Sequence, residues 1–101
     1  MSAKQPFSPH YGTNQLLTPA AGALVANIDP NDKNVRLANT GTNPAYIRIY
    51  SSAGTAEVAT TADYLVPGGL VTTITKAMGQ DRMSYVSALG TTLQCMTGEG
   101  W

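Results

Sequence analysis

Hydrophobic and polar residues alternate over short stretches of this chain, and residues that favour turns separate the stretches. In 34–39, for example, Val35 and Leu37 alternate with Asn, Arg and Ala. A period of two is typical of a β-strand with one buried face. Stretches of this kind recur at a spacing of about 8–12 residues. They predict about eight short strands, at 23–28, 34–39, 45–50, 57–59, 63–66, 70–75, 83–89 and 91–96.

This pattern predicts an all-β fold, an antiparallel β-sandwich that is either jelly-roll-like or Ig-like. A helix is not indicated, because Pro19 and Gly22 interrupt the apolar positions of 16–25. The two most regular strands, 34–39 and 45–50, are joined by Thr-Gly-Thr-Asn-Pro. We therefore expect them to form a hairpin.

The strand at 45–50 is a candidate binding surface. Its odd-numbered residues are Ala and Ile, which suit the core. Tyr46, Arg48 and Tyr50 would then face outward, and Tyr and Arg are enriched where proteins bind each other. The alternative is an ordinary solvated face on which Arg48 neighbours Arg36.

Residues 1–12 are predicted to form an extended arm that precedes a single domain at 13–101. Pro6 and Pro9 favour extended backbone in this segment. The arm could dock on a neighbouring molecule or on its own sheet, or it could be a frayed terminus. Its candidate contact residues are Phe7, His10 and Tyr11. Trp101, at the other end of the chain, is a further candidate that is either anchored in a pocket or frayed.

Composition limits the possible functions. The 101 residues suit one domain, and six basic and six acidic residues give a net charge of zero. Only 12% of residues are charged, about half of the ~25% in ordinary soluble domains. Binding to nucleic acid requires an excess of Lys and Arg, so neither nucleic acid nor a charged membrane surface is an expected partner. Neither a signal peptide nor an apolar run of about 20 residues is evident, so we expect synthesis in the cytoplasm.

Residues that could carry catalysis are scarce. His10 is the one histidine, and it lies in the arm rather than beside a nucleophile. Cys95, the one cysteine, falls within a strand, where a small buried hydrophobic residue is expected. Asp29 and Asp32 fit a turn around Pro30, and the glycine and closing glutamate of a calcium loop are missing. We therefore expect no enzymatic activity, no metal site and no cofactor.

Two segments carry distinctive motifs. One is Val-Arg-Leu-Ala-Asn-Thr-Gly-Thr-Asn-Pro-Ala-Tyr-Ile-Arg-Ile at 35–49. The other is Gly-Thr-Thr-Leu at 90–93, followed by Thr-Gly-Glu-Gly-Trp at 97–101, and Pro-Gly-Gly at 67–69 lies between them. Together these segments resemble small structural proteins encoded near the capsid genes of tailed bacteriophages. The similarity covers residues 34–101, and its motifs are turns and strands.

This resemblance implies a virion protein of the head decoration, or cement, type with a β-sandwich fold, and it supplies no catalytic residue. The implied partners are the major capsid protein and further copies of the chain, as a dimer or trimer, on the capsid surface. A subunit of a tail or neck connector and a carbohydrate-binding module on the virion surface are the alternatives. A small enzyme is disfavoured, because the chain offers neither a suitable base nor a metal site.

Overall fold

The computed structural model describes residues 8–99, with the backbone alone for Ser8 and Pro9. Its regular elements are all β-strands: β1 (Ser8–Pro9), β2 (Gln15–Leu17), β3 (Leu24–Asn27), β4 (Asn34–Asn39), β5 (Ala45–Tyr50), β6 (Tyr64–Val66), β7 (Val71–Thr75), β8 (Arg82–Val86) and β9 (Leu93–Glu99). Within residues 8–99, no helix is long and apolar enough to cross a membrane.

The strands form two antiparallel sheets. The five-stranded sheet has the order β1-β9-β4-β7, and β2 also pairs with β9. The four-stranded sheet has the order β3-β8-β5-β6. β1 and β2 pair with different parts of β9, since Ser8 lies opposite Glu99 and Leu17 lies opposite Leu93.

The connectivity follows one rule: β2 pairs with β9, β3 with β8, β4 with β7, and β5 with β6. These nested pairs describe one long antiparallel ribbon, folded at β5–β6, whose successive pairs alternate between the two sheets. That arrangement is a jelly roll. The predicted all-β sandwich is therefore confirmed, and the strand order is that of the jelly-roll alternative.

The predicted hairpin of 34–39 and 45–50 is wrong. β4 lies between β7 and β9 in one sheet, whereas β5 lies between β6 and β8 in the other. Both strands are regular, but the residues between them cross from sheet to sheet, a gap of about 10 Å that five residues readily span. A turn-forming sequence signals that the chain changes direction, and it does not determine which strand becomes the neighbour.

Asn39 organises this crossing. Its buried side chain donates hydrogen bonds to the carbonyls of Asn43 (2.9 Å) and Val66 (3.0 Å). Its Oδ1 accepts bonds from the Gly41 amide (3.1 Å) and the Thr91 hydroxyl (2.7 Å). All the hydrogen-bonding groups of one amide side chain are therefore used to fix the corner between the sheets.

The core lies between the sheets. From the five-stranded sheet, β4 and β9 contribute Val35, Leu37, Leu93 and Cys95; from the four-stranded sheet, β5, β6 and β8 contribute Ala45, Ile47, Val66 and Met83. Each of these side chains is at most 1% exposed. The placement of Cys95 as a small buried hydrophobic residue is thus confirmed.

Three further differences from the predicted strands concern the sheet surfaces. Residues 57–59 form no strand, and they belong to a loop at 51–63. β1 and β2 are short strands that the alternation did not indicate, since three or fewer residues cannot show a period. β9 continues to Glu99, beyond the predicted end at residue 96.

Candidate interaction surface

The outer face of the four-stranded sheet is partly covered by the chain's own loop at 51–63. The Ala59 amide donates to the buried Ser84 hydroxyl (2.9 Å), so the loop lies on β8, and Ala59 is itself buried. Ser52 donates to the Asp81 carboxylate from its amide (2.8 Å) and its hydroxyl (2.7 Å). These bonds hold the loop against the sheet.

The outward face predicted for Tyr46, Arg48 and Tyr50 is only partly present. Tyr50 lies on the same face of β5 as Tyr46 and Arg48, but it is 6% exposed, so it offers almost no surface to a partner. It ends β5 opposite Arg82, next to the point where Ser52 holds the chain to β8. Tyr46 is half-buried and Arg48 is exposed. Whether Tyr46 and Arg48 contact a partner stays a prediction.

Arg48 holds the loop. Its Nε donates to Glu57 Oε1 (2.6 Å) and its Nη1 donates to Asp63 Oδ1 (3.2 Å). The hydrogen bond to Glu57 and the negative charge of Asp63 raise the pKa of the guanidinium. Arg36 lies on β4 in the other sheet, so the two arginines are not neighbours on one face. That alternative is wrong.

The outer face of the five-stranded sheet has no described segment above it, and we call it the open face. Its cross-strand rows follow from the strand register: Leu16, Gln94, Ala38 and Val71 form one row, and Met96, Arg36 and Thr73 form the next. Leu16 is 66% exposed and Val71 is 55% exposed. Arg36 is the one charged residue in these rows. The open face is therefore nearly neutral and partly apolar.

A shallow hollow of about 180 Å³ lies in the open face, lined by Asn14, Arg36, Ala38, Gln94 and Met96. The sequence did not indicate these residues as a group. Two of them lie on β4, two lie on β9 and Asn14 lies just before β2, and only the pairing of β9 with β2 and β4 brings them together. The alternation in β9 could have shown that Gln94 and Met96 share a face, but it could not have identified their neighbours.

The described part of the predicted arm is attached to its own sheet, which was one of the alternatives. β1 pairs with the end of β9, and the His10 amide donates to the Thr97 carbonyl (2.9 Å). The Thr13 hydroxyl donates to the His10 carbonyl (2.6 Å) and accepts from the Thr97 amide (3.2 Å). Tyr11 is 84% exposed at this turn. Phe7 and Trp101 lie outside the described residues.

His10 forms a side-chain cluster with two acids that lie far along the chain. Its Nδ1 is 2.7 Å from Asp32 Oδ2 and 3.3 Å from Asp29 Oδ2. The hydrogen bond and the charge of Asp32 raise the pKa of His10 above 6.5. Burial alone would raise the pKa of Asp32, but hydrogen bonds from Thr97 (2.7 Å) and His10 outweigh burial and lower it. A protonated His10 thus ties the first strand to the rest of the fold.

The same three side chains place possible metal ligands within 4.8 Å of one another. Lys76 lies at this end of the sandwich and is 6% exposed. Burial lowers the pKa of its ammonium group, and the acids whose charges act on it most strongly are Asp32 and Asp29. Its Nζ has no hydrogen-bond partner among residues 8–99. The positive charge of Lys76 acts on both acids, and His10 is hydrogen-bonded to Asp32; we call the pair of His10 and Asp32 the latch.

Cys95 is buried in β9. Burial raises the pKa of the Cys95 thiol to about 12, so the thiolate that nucleophilic or redox chemistry needs is not formed at neutral pH.

A cleft of about 560 Å³ opens between β5, β6 and β7, and Ile47, Ile49 and Ile74 line it together with Tyr64, Gln80 and two threonines. The Tyr64 hydroxyl and the Thr72 hydroxyl are 2.9 Å apart and bridge the two sheets there.

Comparisons of this chain with protein-family models, with curated proteins and with solved structures found no match. The function must therefore be argued from the motifs and from the surfaces described above.

Proposed function

We propose that this protein is a virion structural subunit, a decoration protein that binds the outer surface of a phage head and bridges neighbouring capsomers. The observation that carries the proposal is the open face, a sheet surface with none of residues 8–99 lying over it and a single charged residue among its rows. Burying ions at an interface costs desolvation free energy, and a face with one charge largely avoids that cost. Such a surface suits permanent contact with protein.

Two further observations support this proposal. The motifs at 35–49 and 90–101 resemble those of phage head proteins, and the jelly roll is a common architecture of viral capsid domains. Fold alone does not determine function, so the jelly roll is supporting evidence by analogy. The proposed partners are the major capsid protein and further copies of this chain. Many weak contacts repeated over a shell would stabilise it through avidity.

A carbohydrate-binding module receives weaker support. Sugar binding would need exposed aromatic rings beside acids and amides. The cleft between β6 and β7 holds one aromatic ring, Tyr64, whose hydroxyl already bonds Thr72, and its lining includes one amide side chain and no acid. The other alternative is a subunit of a tail or neck connector. The number of copies per particle distinguishes a connector from a decoration protein.

Copy number per particle tests the proposal. Particles purified from the virus that encodes this chain would be analysed by quantitative gel electrophoresis against the major capsid protein. Hundreds of copies are expected for a decoration protein, because it occupies symmetry-related sites over the whole shell. About six or twelve copies would indicate a ring-shaped connector instead. Absence from purified particles would refute a virion role.

A further inference from the structure

β7 is an exposed edge strand. It pairs with β4 on one side and with no described strand on the other. The Asn39 amide donates to the Leu70 carbonyl (2.9 Å) and the Lys76 amide donates to the Lys33 carbonyl (2.8 Å), so even-numbered positions direct their backbone groups at β4. Backbone groups alternate between the two sides of an antiparallel strand. The residues directed at the open side are therefore the odd-numbered ones: Val71, Thr73 and Thr75.

The other edge strands are shorter than the five-residue β7, and on two of them a side chain occupies a backbone carbonyl. On β3, the Gln15 side chain donates to the Asn27 carbonyl (2.5 Å). On β6, the Asn39 side chain donates to the Val66 carbonyl, and Pro67 follows at once. The outer edge of β9 is covered by β1 and β2. Proteins usually guard an edge with charges, proline or a bulge.

β7 contains none of these guards. Its sequence is Val-Thr-Thr-Ile-Thr, with neither charge nor proline. Val71 and the preceding Leu70 are each 55% exposed. A five-residue run of β-branched side chains with free backbone groups is a template for a further strand.

We propose that β7 pairs antiparallel with β7 of a second copy, about a two-fold axis through Thr73. Thr73 then lies opposite its own counterpart and Val71 lies opposite Thr75 of the partner subunit. Because all three odd-numbered residues direct their backbone groups at the partner, this register forms about six hydrogen bonds. Threonine pairs across strands are favourable on an exposed face.

The neutrality of β7 favours a second copy of the chain over a charged partner strand. β7 offers no counter-charge to a basic or acidic segment, whereas its own copy is equally neutral, and the net charge of the chain is zero. The nearest charge on the open face is Arg36, one strand away from Thr73. In the dimer, the two copies of Arg36 lie three strand spacings apart, about 14 Å, which exceeds the screening length at physiological salt.

The pairing joins two five-stranded sheets into one continuous sheet, and the two open faces become one surface of twice the width. The partner strand would also lie along the open side of the cleft that contains Ile49 and Ile74. This dimer does not depend on the decoration function, since the pairing is a property of the purified chain.

Sedimentation analysis of the full chain tests the dimer, combined with hydrogen exchange. We expect a monomer–dimer equilibrium with concentration, in which the amides of Val71, Thr73 and Thr75 gain protection as the dimer forms. Thr73→Pro removes the central amide at a position where proline is tolerated, because its N–H faces away from β4. This variant should shift the midpoint concentration upward at least about tenfold, a loss of ~1.4 kcal/mol.

Two variants provide the controls. Thr73→Val keeps the amide and the β-branched shape, and it should dimerise like the original chain. Val25→Pro places the same change on β3, another edge strand with an exposed apolar residue, and it should leave the midpoint unchanged. A chain that stays monomeric up to about 1 mM would overturn the proposal. A dimer whose added amide protection lies on β3, or on strands of the open face other than β7, would overturn it as well.

Discussion

At the scale of single residues, the most informative side chain is His10. It lies in a segment that the sequence marks as an arm, yet its imidazole contacts Asp32, which is 22 residues away along the chain. Asp32 in turn accepts a bond from Thr97 on β9. One buried carboxylate thus connects the segment after β1, the turn at 29–32 and the last strand, so one exposed histidine adds a pH-dependent contact to the backbone pairing that holds β1.

This arrangement predicts a pH-dependent stability. The folded-state pKa of His10 is raised, so its contribution is complete below its ordinary value of 6.5 and is lost as pH rises through the folded-state value. The folded-state pKa of Asp32 is lowered, so its contribution is complete above 3.8 and is lost as pH falls through the lowered value. The difference in Tm between the original chain and His10→Gln should be largest between pH 3.8 and pH 6.5, where both contributions are complete, and it should shrink toward alkaline pH.

Thermal unfolding followed from about pH 4 to pH 9 measures this difference. Tyr11→Gln is the matched control, because Tyr11 is the exposed neighbour of His10 in the same turn. Its Tm profile should run parallel to that of the original chain. A profile for His10→Gln that is also parallel over the whole range would contradict the latch.

At the scale of elements, the corner between β4 and β5 determines which strands pair. The residues 40–44 carry the chain from one sheet to the other and pack against the turn at 67–69, where a Cβ on Gly68 would collide with the backbone of Thr42. The corner closes only because a glycine stands at that contact. The side chain of Asn39 then satisfies its hydrogen bonds within the same corner.

Gly68→Ala should therefore destabilise the fold, because the colliding atoms are backbone and cannot rotate away. Overpacking of this kind costs about 1–3 kcal/mol. Urea unfolding monitored by circular dichroism measures the change in the free energy of unfolding. Gly22→Ala is the control, since a Cβ there meets nothing within 4 Å. Equal stabilities of the two variants would show that this corner tolerates a side chain.

At the scale of the whole molecule, the two outer faces differ in what lies above them. The four-stranded sheet carries its own loop, held by Arg48 and Ser84, whereas no described segment lies over the open face of the five-stranded sheet. The charged and hydrogen-bonding groups that could serve a partner on the first face are mostly occupied within the chain. Recognition through a sheet surface is thus proposed for the open face.

Under the proposed function, a charge in the open face should disrupt attachment to the shell. Leu16→Lys places an ammonium at a side chain that is now 66% exposed and would be buried by the capsid. We expect occupancy on particles that lack the original protein to need at least about tenfold more of this variant, because a buried unpaired charge is costly.

Leu89→Lys is the matched substitution. Leu89 is 80% exposed in the loop between β8 and β9, away from the rows of the open face. It should bind like the original chain in the same rebinding assay, with bound protein measured by gel. Equal binding of both variants would argue against the open face as the contact surface.

Much of the fold follows from local patterns. Strands at 34–39 and 45–50 were predicted with the bounds they have, because each shows six residues of apolar and polar alternation. The predicted strand at 57–59 is part of the loop at 51–63, because a run as short as Glu57, Val58 and Ala59 cannot show a period. The residues of the open face were missed, because a surface made by β2, β4, β7 and β9 has no signature within any one of them.

The sequence by itself determined the class of fold, the positions of most strands and turns, the burial of Cys95 and the neutrality of the surface. Each of these depends on neighbouring residues or on composition, which the chain carries without being folded. Only the tertiary structure decided that β4 and β5 belong to different sheets, that His10 meets Asp32, that Arg48 serves its own loop, and that β7 is an unguarded edge. Those outcomes depend on which distant strands pair, and hydrophobic alternation is the same for every pairing that buries the same residues.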